Sequence, residues 1–373
     1  MSLFINVVSE VKTLAKMQES WDVFASKHSD NPFVLCKFIE MSAKYGLQGW
    51  TLQLIIGRAN DRIVGIAPLM TSEKLGMRVA TFVLPPYNSP DFLIDEQFGM
   101  EFIKRVVDYL FETLKCKVAD LTFPAESKSM LSFQEICRTK RIHFFTEPYI
   151  GRRIIEVRCN WEQFENLKGG RFRRQFRRNE RRLNKAGSCR VSCFEREEDG
   201  GDAFKKILEI ERLSWKAIWR SKRGMKKDPD LEIDWEGAGH VSRAIPDFKR
   251  TVWFLELNNR PIAYAIVLQH KKTATITKTS YDLRYRAFYP GMKLFNAVIR
   301  NLFNSGLVGN IDLMTDMPFM KAWTDICRGR VRVLAGKGIL PTAALSFYQN
   351  RQIRRILNMV ASQSLLPVAN LFL

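Results

Sequence analysis

Histidine is scarce in this chain and cysteine has no partners. Among 373 residues there are 4 histidines, His28, His143, His240 and His270, and none has the HExxH or other close spacing of a metal site. The 7 cysteines are Cys36, Cys116, Cys137, Cys159, Cys189, Cys193 and Cys327. They form no CxxC pair, and their odd number argues against a disulfide framework. No GxxxxGK[ST] loop, GxSxG elbow or GxGxxG turn occurs, so a serine, cysteine or histidine nucleophile system has no support. No apolar run reaches the ~18–20 residues that cross a bilayer. The start, MSLFINVVSEVK, lacks the basic and apolar segments of a secretory signal. These absences lead us to expect a cytoplasmic protein with no bound metal and no transmembrane segment, with peripheral membrane contact left open.

Acidic residues are also short: 39 Asp and Glu stand against 59 Lys and Arg, a formal net charge of +20. Such an excess implies polyanionic company, whether nucleic acid, an anionic membrane face or a phosphorylated substrate. A hydrophobic fraction of 46% is ordinary for a globular protein, and the length allows two domains.

What is present is organised around Thr251–Trp323. TVWFLEL and IAYAIVL flank the turn Asn258-Asn259-Arg260-Pro261 and read as a hairpin. Ile262–Leu268 is apolar throughout, which suits a strand covered on both faces. A third strand, TATITKTSYDLRY, leads to Pro290-Gly291, which opens a helix whose first turn would offer backbone N–H groups to an anion. NIDLMTD then reads as a strand. An ordinary strand-to-helix connection explains Pro290-Gly291 equally well.

The first half has the same order. A strand at Phe4–Val8 and helices around Trp21–Phe24 and at Val34–Tyr45 precede the hairpin TLQLIIGRANDRIVGIAPLM, with its turn at Ala59-Asn60-Asp61. Val79–Leu84 reads as a strand, Gln97–Leu114 as a helix, Val118–Phe123 as a strand and Ser129–Lys140 as a helix. Strand, polar turn, apolar strand, strand, helix, strand occurs twice, which we read as a degenerate duplication of one α/β unit.

Between the copies lies RFRRQFRRNERRLNKAG. Phe172, Phe176 and Leu183 share one helical face with Asn179 between them. Arg171, Arg173, Arg174, Arg177, Arg178, Arg181, Arg182 and Lys185 fill the other faces, and Gly187 would end the helix. This helix is either a solvated surface paired with acids such as Glu195, Glu197 and Glu198, or a guanidinium surface for phosphate or carboxylate groups. A helix is expected from Asp202 to Trp219, then the exposed loop SKRGMKKDPD, then a helix over 231–248. A last strand is expected at Val331–Leu334, a closing helix over Thr342–Met359 and a packed tail, SLLPVANLFL. Open α/β sheets bind ligands at strand C-terminal ends, where Tyr281, Asp282, Tyr285 and Tyr289 form one group and Asp312, Asp316, Lys321 and Trp323 another.

The ordered set RFRRQFRRNERRLNKAG, NNRPIAYAIVL, TSYDLRYRAFYPGMKLFNAVI and IDLMTDMPFMKAW, with NPFVLCKFIE, DRIVGIAPLM and Asp91-Phe92 in the first half, resembles the GNAT superfamily. Within it the chain is similar to tandem-GNAT acyltransferases of the CelD-type and BioF-type acetyltransferase group. The resemblance implies an α/β fold of two tandem GNAT-like domains, each a mixed central sheet flanked by helices, over residues 1–150 and 151–373. It implies acetyl-CoA or another acyl-CoA as co-substrate, with the pyrophosphate at Tyr289, Pro290, Gly291, Met292 and Lys293. Only Gly291 remains of the usual glycine-rich loop. Direct transfer to an amine or hydroxyl of a small-molecule, sugar or polysaccharide acceptor would follow. Asp282 or Asp316 would take the proton and Lys321 would stabilise the oxyanion. Arg174, Arg178, Tyr281, Tyr285 and Trp323 would bind substrate. FemAB-type transferases share the fold and take their acyl group from aminoacyl-tRNA, which would give the basic helix tRNA phosphates to contact. A non-catalytic polyanion-binding module is the reading from another class.

Overall fold

Two turns of one kind shape the chain. Asn60-Asp61 (φ 47° and 61°) and Asn258-Asn259 (φ 51° and 61°) are left-handed, the backbone that a two-residue hairpin turn requires and that Asn and Asp tolerate. Each closes a hairpin, and in each one extra residue bulges out just past the turn: Val64 in the first and Ile262 in the second. The duplication inferred from the sequence is therefore present down to the irregularity of one strand.

The structure, a computed structural model, describes residues 2–46, 49–74, 76–195, 200–222 and 229–338. The closing helix expected at Thr342–Met359, the apolar tail and most of the SKRGMKKDPD loop lie outside the described residues. The described residues fall into two compact units: those within 2–29, 42–150 and 329–338 in the first, and those within 30–41 and 151–328 in the second.

In the first unit, β1 (Phe4–Val8), β2 (Thr51–Ala59), β3 (Arg62–Lys74) and β4 (Met77–Phe82) pair antiparallel in sequence. A short β5 (Leu93–Ile94) pairs with β3, and β6 (Val118–Pro124) lies parallel to β4. The second unit takes up the chain within β7 (His143–Glu156). It continues through β8 (Cys189–Phe194), β9 (Phe248–Leu257), β10 (Arg260–His270), β11 (Thr273–Tyr281) and β12 (Asn310–Asp312), ordered β7-β12-β11-β10-β9-β8. The chain then returns to the first unit with β13 (Cys327–Gly336), antiparallel to β6. Each sheet has one parallel pair in the same place, β4 with β6 and β11 with β12. The fold is thus α/β, two units each built on a mixed sheet flanked by helices.

β7 and β8 were not among the expected strands. Pro148, Gly151, Arg152 and Arg153 interrupt the apolar pattern of β7, and its pairing partner comes about 150 residues later, so no local turn signal announces it. The other elements fall within a few residues of their expected places, except that the helix expected over Asp202–Trp219 is broken at Leu213-Ser214 into two, and that strand β9 begins at Phe248 and shortens the preceding helix, which ends at Ala244.

The first core is a phenylalanine cluster. Phe123 meets Phe82 and Phe92 edge-to-face at centroid distances of 5.1 and 5.5 Å, an arrangement that aromatic quadrupoles favour. The helices Gly99–Asp108 and Lys128–Thr139 bury their apolar sides here, the second capped by Ser127 Oγ, which accepts from Met130 N–H at 3.0 Å. Phe102, fully buried, lies over the cross-strand pair Gly57–Gly65, and a Cβ on Gly65 would approach its ring to 2.7 Å. Glycine is required there for space. We expect Gly65→Ala to cost about 1–3 kcal/mol by overpacking in urea denaturation. Gly46→Ala, with nothing within 4 Å of the added carbon, should stay near wild type.

Asp91 accepts from Phe92 N–H at 2.8 Å and Ser127 Oγ at 2.9 Å, yet burial pushes its carboxyl up to about 7. The folded protein keeps this proton at pH values where the unfolded chain has lost it. Asp91 therefore favours the folded state most below about pH 4, and that contribution is lost as pH rises toward 7. Unfolding free energies measured across this window should decline less steeply in Asp91→Asn than in the wild type.

Candidate active site

The parallel pair in the second unit stops early. β11 and β12 are in register only over Thr273–Thr275 and Asn310–Asp312, after which β12 ends and β11 runs on to Tyr281. Asp312 causes the stop. Its carboxylate accepts from the Met314 N–H at 2.7 Å, turning the chain through a left-handed Met314 (φ 62°), and from Arg152 Nη1 at 2.5 Å. Arg153, the next residue on β7, donates to Asp316 at 2.5 Å and to the Thr324 carbonyl at 2.9 Å. Two successive arginines in an apolar strand thus hold both acids of the segment that leaves the sheet.

Past the last β12 partner, β11 bulges. Ile266 faces Lys278 while Val267 faces Ile276, so Thr277 is the extra residue. Its hydroxyl is buried with no hydrogen-bond partner. A strand that has lost one neighbour presents unpaired backbone groups along that edge, and the bulge re-aims them locally. The result is a wedge between the two strands, floored by backbone.

The chain after β11 folds back to the mouth of this wedge. Asp282, 1% exposed, caps the 283–288 turn by accepting from Arg284 N–H at 3.0 Å, and Arg284 Nη2 returns to it at 2.5 Å. Burial raises its carboxyl, but the hydrogen bonds and charge of Arg284 outweigh that and hold it below the usual carboxylate range. Tyr289 is left-handed (φ 55°) and Pro290 starts the 290–304 helix. The amides of Met292 and Lys293 turn back to the Tyr289 carbonyl at 3.1 and 3.2 Å, and Gly291 N–H donates to no described residue. A Cβ on Gly291 would lie 3.2 Å from the Tyr281 ring, so this glycine lets the helix start approach the end of β11.

Trp323 ties these parts together. It is 1% exposed, and its ring centroid lies 5.0 Å from Phe295, 5.5 Å from Phe176, 6.4 Å from Phe172 and 6.5 Å from Phe319. One ring thereby joins the 290–304 helix, the 318–322 turn and the arginine helix, Gly169–Ala186. That helix also rests against the 283–288 turn, and its Glu180 accepts from Lys293 at 3.0 Å. Helical spacing puts Arg173 and Arg177 on the flank beside Glu180, while Arg174 and Arg178 are exposed further round. Lys321 is exposed on the 318–322 turn. Asp316 is one-third exposed. Tyr281 and Tyr285 are half-buried in the core under the helix start, and Tyr289 is exposed.

The opposite face of β10 and β11 carries a cluster that sequence patterning did not single out. Glu211, 3% exposed, accepts from Tyr264 Oη at 2.7 Å and Arg220 Nη1 at 2.8 Å, with Lys216 at 3.6 Å. Burial raises this carboxyl, but Lys216, Tyr264 and Arg220 together hold it below the usual range. Lys216 donates in turn to the Thr279 carbonyl at 3.0 Å, two residues beyond the bulge. A lone apolar-face tyrosine in YAIVL was the only sequence signal.

Against this geometry, residues 170–320 match the model of the acetyltransferase (GNAT) domain. Three solved structures share the fold. FemX superposes with a TM-score of 0.56 at 12% identity over 89% of this chain and 97% of its own. L-PGS from Bacillus licheniformis gives 0.54 at 10% identity over 90% and 96%. A Bacteroides thetaiotaomicron protein of unknown function gives 0.53 at 11% identity over 90% and 100%. No curated protein matches the chain. The second unit therefore carries a GNAT domain. Across its length the chain shares the fold of these three structures.

The ring cluster makes Trp323 a test of how the site is assembled. Trp323→Ala should lose about 3–5 kcal/mol of stability, as large buried aromatics do, whereas Trp323→Phe should recover most of it in the same denaturation experiment.

Proposed function

We propose that the chain is an acyltransferase that takes an acyl group from acyl-CoA and hands it directly to an amine or hydroxyl. The observation that carries the reading is the wedge: parallel strands that part after Thr275 and Asp312, a bulge at Thr277, and a helix start at Pro290-Gly291 facing the end of β11. Unpaired strand edge suits the amide groups of a pantetheine arm, which would add to the sheet as a short extra strand. The helix start, with Tyr289, Gly291, Met292 and Lys293, suits its pyrophosphate, because the amides and dipole there favour negative charge.

Transfer requires a nucleophile to lose a proton, a thioester carbon to pass through a tetrahedral state, and a thiolate to leave. Holding the two substrates together supplies most of the acceleration. Of the two acids, each held by an arginine, Asp316 is the better proton acceptor, since its side chain is one-third exposed while Asp282 is buried. Asp282 instead fixes the turn that presents the helix start. Lys321, exposed on the 318–322 turn, supplies a cation for the oxyanion. Tyr281, Tyr285 and Trp323 shape the walls. The acceptor class that fits our reading is a sugar or polysaccharide.

A second reading is favoured by the arginine helix, which packs against the 283–288 turn leading into the helix start. Seven arginines with a single acid, Glu180, make a surface suited to the phosphates of an aminoacyl-tRNA donor, the donor that FemAB-type transferases use.

The two donors separate in one experiment. If acyl-CoA is the donor, saturating acetyl-CoA should raise the unfolding free energy, by ~2.7 kcal/mol at a hundredfold excess over its Kd, and Gly291→Val should abolish the rise. Binding of tRNA but not acetyl-CoA, with a steep salt slope lost in Arg173→Ala/Arg174→Ala/Arg177→Ala/Arg178→Ala, would replace the first reading with the second. Acyl transfer unchanged in Asp316→Ala and Lys321→Ala would remove their assigned roles.

A further inference from the structure

The first unit has a wedge of its own. β4 and β6 pair in parallel only from Val79 with Val118 to Thr81 with Asp120, the same three-residue length as in the second unit. Here too the last residue of the parallel register is an aspartate held by an arginine from the neighbouring strand, although β6 itself runs on to Pro124: Arg332 Nε and Nη2 donate to Asp120 at 2.8 and 2.7 Å. Where the strands part there is a cavity of about 250 Å³.

Its chemistry differs from that of the second unit. No helix opens at its mouth: the chain leaves β4 through Pro85 and a three-residue turn, Pro86–Asn88. A coenzyme phosphate would find no row of amides there. The volume lies below the ~300–1,000 Å³ typical of drug-sized ligands, so the cavity admits one ring and not an extended molecule. Its charges cancel locally, because Arg332 also donates to Glu147 at 3.2 Å and the remaining lining cation, Lys74, stands 5.1 Å from the centroid of Trp50. A net anion is therefore not its natural occupant.

What the lining offers is a mixture. Trp50 and Tyr149 supply aromatic surface, and Tyr149 is 38% exposed although no core requires it at the rim. Thr81 and Thr122 supply hydroxyls beside Asp120. The Asp120 carboxylate is one-quarter exposed in its side chain and has lone pairs beyond the two that Arg332 occupies. Aromatic surface for C–H groups, with a fixed carboxylate and hydroxyls for O–H groups, matches one ligand class. We propose that this cleft binds a neutral sugar ring.

The proposal does not depend on the donor assigned to the second unit. Saturation-transfer NMR on the full chain with millimolar glucose, galactose, mannose and N-acetylglucosamine should show transfer to the ring protons of at least one. Affinity for that sugar should fall about tenfold or more in Trp50→Ala and in Tyr149→Ala, as loss of about 1.4 kcal/mol of contact implies, and also in Asp120→Asn. Both aromatic side chains are partly exposed, so unchanged thermal unfolding of these two variants confirms that the fold survives. No transfer to any of the four sugars, equal binding in both aromatic variants, or protection of this cleft by acetyl-CoA or inorganic phosphate instead would overturn it.

Discussion

Parallel strands that stay together for three residues and then part are the constraint on which both units rest. A continuous β11–β12 ladder would satisfy its own backbone and leave nothing for a ligand. What ends it is a charged hydrogen bond: Asp312, buried between Arg152 and the Met314 amide, turns the chain out of the sheet. Removing either partner of such a pair leaves a buried charge uncompensated, so the wedge persists. In the first unit Asp120 and Arg332 form a matching pair at the last parallel register, but there β6 runs on to Pro124. The two copies have diverged in letters while keeping the aspartate–arginine pair.

Around the wedge, packing sets chemistry. The arginine helix has a hydrophobic side only three or four residues wide, yet that side reaches Trp323 through Phe172 and Phe176. The anchoring frees every other face for guanidinium groups. Of the acids named for the solvated reading of this helix, Glu197 and Glu198 lie outside the described residues. Glu195 pairs with Lys249, and the one acid on the helix itself, Glu180, reaches Lys293. The helix is a positively charged wall beside a helix start that already favours anions.

How much of this the sequence announces depends on the range of the interaction. Asn-rich turns, the apolar run Ile262–Leu268 and the Pro290-Gly291 helix start are local signals, and each marks a real feature. The order of elements, read twice, disclosed the duplication. The Thr277 bulge left no trace, since nothing in TATITKTSY distinguishes a threonine with a partner from one without. Arg152 and Arg153 were visible as charges in an apolar setting, but their acids lie some 160 residues away. Glu211 looked like one more polar residue on an amphipathic helix. Long-range pairing, which fixes most of the site, is the part that one sequence alone does not spell out.

The last strand has a bearing on synthesis. β13 completes the first unit's sheet beside β6, yet it is made only after the whole of the second unit's described structure. As the chain emerges from the ribosome, β6 must wait with its edge uncovered and Asp120 without Arg332 while about 200 further residues are added, some ten to forty seconds at ordinary elongation rates. A nascent edge strand of this kind is open to pairing with the wrong chain. The first unit is thus begun first and finished last, and its maturation is timed by the translation of its neighbour.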